Sequence, residues 1–239
     1  MNRVLRESVR TLAHKMGYDV VRYKNTASAH FMNLLSHYGI DLLFDIGANT
    51  GQYANRIRRQ GYKHRLVSFE PLSSAYKELT RNAESDPLWE TCNIALGSYD
   101  GKAKINISRN SYSSSILDIL PGHIRADPDS VYIGREEVTV RKIDSILNDY
   151  YRATQNLFLK IDTQGYEKNV LEGAEASLEV IRGIQLEASL SPLYEGETLL
   201  VQMLPFMLEK GYGLSGLEPE FYNPRTGRLL QVNCVFFRE

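Results

Sequence analysis

From residue 41 to the last residues of the chain, short apolar runs alternate with amphipathic stretches. The runs fall at 41–46, 65–69, 89–95, 157–161, 183–186, 212–217 and 231–237. Residues 52–60, 73–83, 167–178 and 198–210 place apolar side chains at helical spacing between them. A parallel strand pair needs a crossover connection, and an intervening helix supplies it, so the pattern predicts an α/β fold with a mostly parallel sheet. The last two runs have no helix between them. Only the turn-rich stretch Asn223-Pro224-Arg225-Thr226-Gly227 separates them, which predicts an antiparallel hairpin.

An insertion at about 98–150 interrupts the alternation. Residues 102–107 and 136–140 read as strands, and 143–150 as a short helix with Asp144 and Ser145 in its N-cap region. The middle of the insertion, 108–130, is rich in Ser, Asn, Pro, Gly and Asp. A loop of that length inside a compact domain is functional or disordered, and here a lid over an acceptor is expected. Two helical stretches, 3–16 and 27–38, precede the sheet. The first gathers Val4, Leu5, Val9, Leu12, Ala13 and Met16 on one face, with arginines between them and Gly17 to stop it. No linker rich in Pro, Gly or Ser follows. Residues 1–40 therefore read as a helical buttress or lid, and 41–239 as the main domain.

Composition narrows the function classes. The chain has 239 residues, 43% of them apolar, enough for a core without disulfides or structural metal. A net charge of −1 gives no long-range field to gather phosphate backbones, so nucleic acid is not an expected partner. Cys92 and Cys234 sit inside apolar segments as free thiols of a reducing compartment. The basic N-terminus lacks the apolar block of a secretory signal, and no run approaches a membrane span. The expected location is cytoplasmic, with peripheral membrane contact through the arginine-bearing first helix as an open alternative. Nothing in the pattern specifies an oligomeric state.

The candidate chemistry begins in DLLFDIGANTGQYA, where an apolar strand runs into a helix through Asp45, Gly47, Ala48, Asn49 and Gly51. Glycines in such a turn permit positive φ and close ligand approach, and the helix N-terminus offers free N–H groups. The dinucleotide fingerprint G-x-G-x-x-G is not met, since Asn49 replaces the middle glycine. An acid before the loop also repels phosphate but suits an ammonium group. In RLVSFEPL, Glu70 closes the second strand about twenty residues further on, where a carboxylate accepts hydrogen bonds from ribose hydroxyls. The third strand ends near Asn93 and Ala95, the place expected for adenine.

These strings, together with NIALGS, SSSIL, LKIDTQGYEKNVLEGA and IQLEASLSPLY, resemble the FkbM-type methyltransferases over about residues 40–237. The resemblance implies a class I methyltransferase sheet of seven strands, six parallel and one antiparallel, with S-adenosylmethionine as cofactor. It implies that the Asp45–Gly51 loop holds the methionine portion and Glu70 the ribose. It further implies O-methylation of glycans, glycolipids or related natural products, without fixing the acceptor.

Ligands of open α/β sheets lie beyond the carboxyl ends of the strands, so Asp162 and Glu187 should face the transferred methyl. Asp162 is a candidate base or orienting group, or else an ion-pair partner of Lys160 that organises the Gly165 turn. Glu187 suits an acceptor hydroxyl. Together the two acids could hold a divalent cation, although nothing in their spacing requires a metal. His123, in the inserted loop, is the one histidine nominated as general base, against the reading of an ordinary solvent-exposed side chain. Two other classes remain open from the residues alone. One is a nucleotide-dependent oxidoreductase on the same kind of sheet; the other is a non-catalytic nucleoside-binding module.

Overall fold

The computed structural model describes residues 3–239. These form two compact units, one ending at His37 and the other covering Tyr38–Glu239. The first carries helices α1 (Arg3–Lys15) and α2 (Ala27–His37). Thr26 caps α2, its hydroxyl accepting from the Ala29 N–H at 3.2 Å. No helix among the described residues is long and apolar enough to cross a membrane.

The second unit begins with β1 (Leu42–Ile46), α3 (Gln52–Arg59), β2 (Arg65–Phe69), α4 (Ser73–Ala83) and β3 (Trp89–Cys92). Next come β4 (Ala95–Leu96), β5 (Gly101–Ser108), α5 (Pro121–Ala126), β6 (Tyr132–Arg141) and α6 (Ile143–Tyr150). It closes with β7 (Leu157–Ile161), α7 (Glu167–Glu172), β8 (Ile181–Ser189), α8 (Leu200–Glu209), β9 (Gly213–Tyr222) and β10 (Leu229–Phe237). Seven strands make one sheet in the order β3-β2-β1-β7-β8-β10-β9. All pairs from β3 to β8 are parallel, while β10 runs antiparallel to both β8 and β9. Six strands thus share one direction and β10 alone is reversed. The central strands β1 and β7 are buried along their whole length, which explains their continuous apolar runs: helices cover both faces of a parallel sheet.

Several boundaries differ from the sequence reading, each for a physical reason. The run 89–95 is two strands in two sheets. β3 extends the large sheet, whereas β4 pairs in parallel with β6 in a small sheet ordered β4-β6-β5. The chain is diverted at Asn93, whose amide donates to the carbonyls of Glu70 at 2.8 Å and Pro71 at 2.9 Å. The helix expected over 167–178 stops at Glu172. At Gly173 the backbone comes so near Gly97 that a Cβ would sit 1.9 Å from the Gly97 carbonyl oxygen. Helix α6 is capped from outside and not by Asp144 or Ser145: the Asp100 carboxylate accepts from Lys142 N–H at 2.8 Å and from the Ser145 hydroxyl at 2.6 Å. Asp144 instead accepts from the N–H groups of Ala176 and Ser177.

The Ser- and Asn-rich stretch of the insertion is ordered by its own polar groups. Asn106 and Ser115 exchange backbone hydrogen bonds of 2.8 and 3.2 Å, and the Asn110 amide donates to Asp127 at 2.8 Å. Short polar side chains here satisfy backbone and each other, as they do in turns.

Candidate active site

A cavity of about 540 Å³ opens beyond the carboxyl ends of the parallel strands, where an open α/β sheet binds its ligands. One end is built by the turn after β1. Gly47 has φ +74, and a Cβ there would lie 1.9 Å from the Asp162 carbonyl oxygen, so glycine is required by contact with the neighbouring strand exit. The N–H groups of Gly47 and Ala48 both bond to the Phe69 carbonyl, at 3.0 and 3.1 Å. Asn49 takes φ +48, a conformation that asparagine tolerates better than most residues. Its amide reaches across to the Ser111 hydroxyl of the insertion at 3.1 Å.

Glu70 faces the same end and is 4% exposed. Its carboxylate accepts from Asn49 N–H at 2.8 Å and Leu72 N–H at 2.9 Å. Burial pushes its pKa up to about 7, against the opposing pull of those two N–H groups and of Lys160. Each carboxylate oxygen retains lone-pair capacity for a ligand hydroxyl. Ile94, Ala95 and Leu96, around the switch between the two sheets, give an apolar wall beside it.

Three residues expected at this end do not line the cavity. Asp45 is fully buried below it, with Lys160 Nζ 3.1 Å from Oδ1 in an ion pair without hydrogen-bond geometry, and the Ser68 hydroxyl 3.2 Å from Oδ2. It holds Lys160 and presents nothing to a ligand. Gly51 carries φ +88 and would push a Cβ to within 2.7 Å of the Trp89 ring, so its glycine serves packing. Asn93 is occupied in pinning the turn after Glu70.

The other end is formed by Asp162, the residue after β7, and Glu187, which lies inside β8 two residues before its end. Lys160 bridges Asp45 and, at 3.4 Å, Asp162. Burial alone would lower its pKa, but the two carboxylates outweigh that and hold the ammonium well above its ordinary value. Gln164 Nε2 donates to Asp162 and to Glu187, both at 2.8 Å, and Gln231 donates to the same Glu187 oxygen at 2.8 Å. Glu187 is held well above the usual carboxylate range by burial, then by the neighbouring acids Asp162, Glu167 and Glu220. The turn itself is organised by Glu167 and not by Asp162: its Oε1 accepts from the N–H groups of Thr163 at 2.8 Å and Gly165 at 3.2 Å. Among the described residues no cluster of three His, Cys, Asp or Glu is arranged to hold a metal ion.

His123 lies elsewhere. It is 3% exposed on α5, with its ring 5.1 Å from that of Tyr194 and 5.5 Å from that of Phe221, and it does not line the cavity. Burial lowers its pKa to about 4, with Asp127 pulling the other way. Neither reading of His123 as a cavity base nor as a solvent-exposed side chain describes this position. The expectation failed because 121–126 folds as a helix against Tyr194. Conversely, the cavity is also lined by Gln164, Glu220 and Asn233, to which the sequence pattern does not point. Gln164 lies two residues after Asp162 in LKIDTQG, whereas Asn233 reaches the cavity through the pairing of β10 with β8 and Glu220 through that of β9 with β10.

Residues 45–214 match the family model described as the methyltransferase FkbM domain. The methyltransferase sdnD of Sordaria araneosa is 23% identical over 216 residues, covering 81% of this chain and 82% of that protein. The 2-O-methyltransferase NoeI of Sinorhizobium fredii is 25% identical over 173 residues, covering 70% of each. The crystal structure of methyltransferase FkbM from Methylobacillus flagellatus superimposes with a TM-score of 0.51 at 19% identity, over 83% of this chain and 43% of that one, which supports the fold. With the family model spanning most of its length, the chain belongs to the FkbM methyltransferase family, and its cofactor is S-adenosylmethionine.

Proposed function

We propose that the enzyme transfers a methyl group to a hydroxyl oxygen of a sugar, glycolipid or related natural product. The observation that carries this reading is the character of the wall opposite Glu70. Asp162, Gln164, Gln185, Glu187 and Asn233 line it, a set of carboxylates and amides suited to an acceptor with several hydroxyls. The relative NoeI, a 2-O-methyltransferase, supports oxygen as the methylated atom.

Bound S-adenosylmethionine supplies an electrophilic methyl together with its own leaving group. In this reading Glu70 accepts hydrogen bonds from the ribose hydroxyls, and the Gly47–Ala48–Asn49 turn receives the methionine portion. Ala95, with Ile94 and Leu96, takes the base. Asp162, paired with Lys160 yet 36% exposed, accepts the proton that the acceptor hydroxyl releases as its oxygen gains the methyl. Glu187 hydrogen-bonds the acceptor and orients it. Alignment of oxygen and methyl does the greater part of the work, since the donor already carries its leaving group.

The test is incubation of the protein with labelled S-adenosylmethionine and a panel of glycans and glycolipids, followed by mass and linkage analysis of the products. Label on an ether oxygen is the expected result. Transfer only to nitrogen or carbon, or none to any hydroxylated acceptor, sinks the reading.

A further inference from the structure

We propose that Gln164 is a positioning residue whose side-chain amide clamps Asp162 and Glu187 in the orientation that an acceptor hydroxyl requires. The inference rests on the proposed methyl transfer and extends it to a residue that would touch neither reacting atom. Three observations carry it.

First, Gln164 has φ +55, in the left-handed region that an ordinary L-residue enters only at an energetic cost. Gly165 follows with φ +92. A turn needing only backbone freedom would be served by glycine or asparagine at 164, so the longer side chain has its own use. Second, one nitrogen bonds both acids, 2.8 Å to Asp162 and 2.8 Å to Glu187, tying the ends of β7 and β8 together through side chains. Third, the amide cannot turn over. Tyr194 donates its hydroxyl to Gln164 Oε1 at 2.6 Å, while the Gln164 main-chain carbonyl accepts from the Ser115 hydroxyl at 2.7 Å and so fixes the backbone that carries the side chain. The Asp162 carboxylate, paired with Lys160, offers Gln164 an acceptor, so the nitrogen faces the acids and the oxygen the phenol.

The clamp acts in a crowded electrostatic setting. Lys160 faces the pair from β7, Glu167 from the start of α7, Glu220 from β9 and Tyr194 from the segment after β8. Arg56 faces Glu220 from α3. Two acids so close, with one cation shared between Asp45 and Asp162, would swing apart without a common donor.

The experiment compares the full chain with Gln164→Leu, Gln164→Glu and Tyr194→Phe. Calorimetry should give S-adenosylhomocysteine affinities within about twofold of the parent for all three, because the cofactor end is untouched. With an acceptor from the panel, kcat should fall about 10- to 100-fold in Gln164→Leu and less in Tyr194→Phe. Gln164→Glu should regain part of its activity as pH is lowered, when its carboxyl becomes protonated and can donate to one of the two acids; Gln164→Leu should not. A separate readout needs no acceptor: the carbon-13 titration of Glu187 should move to higher pH in Gln164→Leu, since a donor to its charged form is lost. Unchanged kcat, or equal pH profiles for the Leu and Glu variants, overturns the proposal. If no acceptor is methylated even by the parent, the proposed function fails on its own, and the Glu187 titration decides the clamp. A midpoint unchanged in Gln164→Leu overturns it, and a raised one upholds it.

Discussion

After β1 the chain turns through Gly47 and Asn49 on main-chain bonds to Phe69, with Glu70 accepting main-chain N–H groups from either side. After β7 the neighbouring turn is held by side chains: Glu167 accepts its N–H groups, and Gln164 joins Asp162 to Glu187. The two turns lie side by side on adjacent strands, yet one is shaped by backbone contact and the other by a polar side-chain network. A backbone-built end tolerates little change and suits a ligand that never varies. A side-chain-built end can be altered one residue at a time without moving the backbone.

The sharpest way to break this contrast is at the point where the turns touch. Gly47→Ala places a methyl where the Asp162 carbonyl stands, and it should destabilise the protein by about 3–5 kcal/mol, with loss of S-adenosylhomocysteine binding. A thermal melt near that of the parent would show that the strand exits can separate at little cost. Asp162→Asn should keep cofactor affinity while turnover drops about 10²–10⁴-fold, the range for loss of a general base. Loss of binding in that variant would mean that the two ends are not separable.

Smaller effects sharpen the cofactor end. Glu70→Ala should weaken S-adenosylhomocysteine binding by about 1–3 kcal/mol, as ribose hydroxyls lose their acceptor. In the parent the Glu70 pKa is raised from 4.5 to about 7, so its folded state binds the proton more tightly than the unfolded chain. The contribution of this group to stability is present at low pH and is lost as pH rises through that window. Ligand hydroxyls favour the charged form, so affinity should increase as pH passes about 7; calorimetric affinities flat from pH 6 to 8 would contradict the assignment. The smallest effect on catalysis is expected at His123: His123→Leu should leave turnover within about twofold. Its pKa is lowered from 6.5 to about 4, so neutral His123 supports the fold above that window and the support is lost as pH falls through it. Urea melts of His123→Leu should show a shallower loss of stability between pH 6.5 and 4 than the parent, and an identical slope would remove His123 from the account.

Much of this was legible in the chain because apolar runs report burial directly. β2 and β7 match their runs to the residue, as does α4, since nothing outside each element competes with its pattern. What the pattern hid were long-range contacts. Gly173, just past α7, lies so close to the Gly97 carbonyl that only glycine fits there, and Asn93 diverts the third run because Glu70 and Pro71 offer it carbonyls. Glycines 47 and 51 were visible, but their reasons were not: one faces a carbonyl and the other an indole. Asp162 and Glu187 were found by their place at strand ends. The residue joining them was not, because a glutamine in a turn carries no periodic signal. His123 misled for the opposite reason, as a polar residue in a polar stretch gives no hint that its helix is packed against Tyr194.

The crossing from β3 to β4 has a mechanical consequence. Ile94, Ala95 and Leu96 form the joint on which the small sheet is carried, and they also line the cavity beside Glu70. A nucleobase wedged against that joint would stiffen it, and the stiffness would be felt along β6 and β5 as far as Ser111 and Tyr112, which border the same cavity. The donor would then act as a splint for the part of the insertion that borders the cavity, so the two substrates should load in sequence, donor first. Amide hydrogen exchange should record this as slower opening at Ala95–Leu96 and along β6 when S-adenosylhomocysteine is bound, and product-inhibition kinetics indicating random loading would rule the splint out.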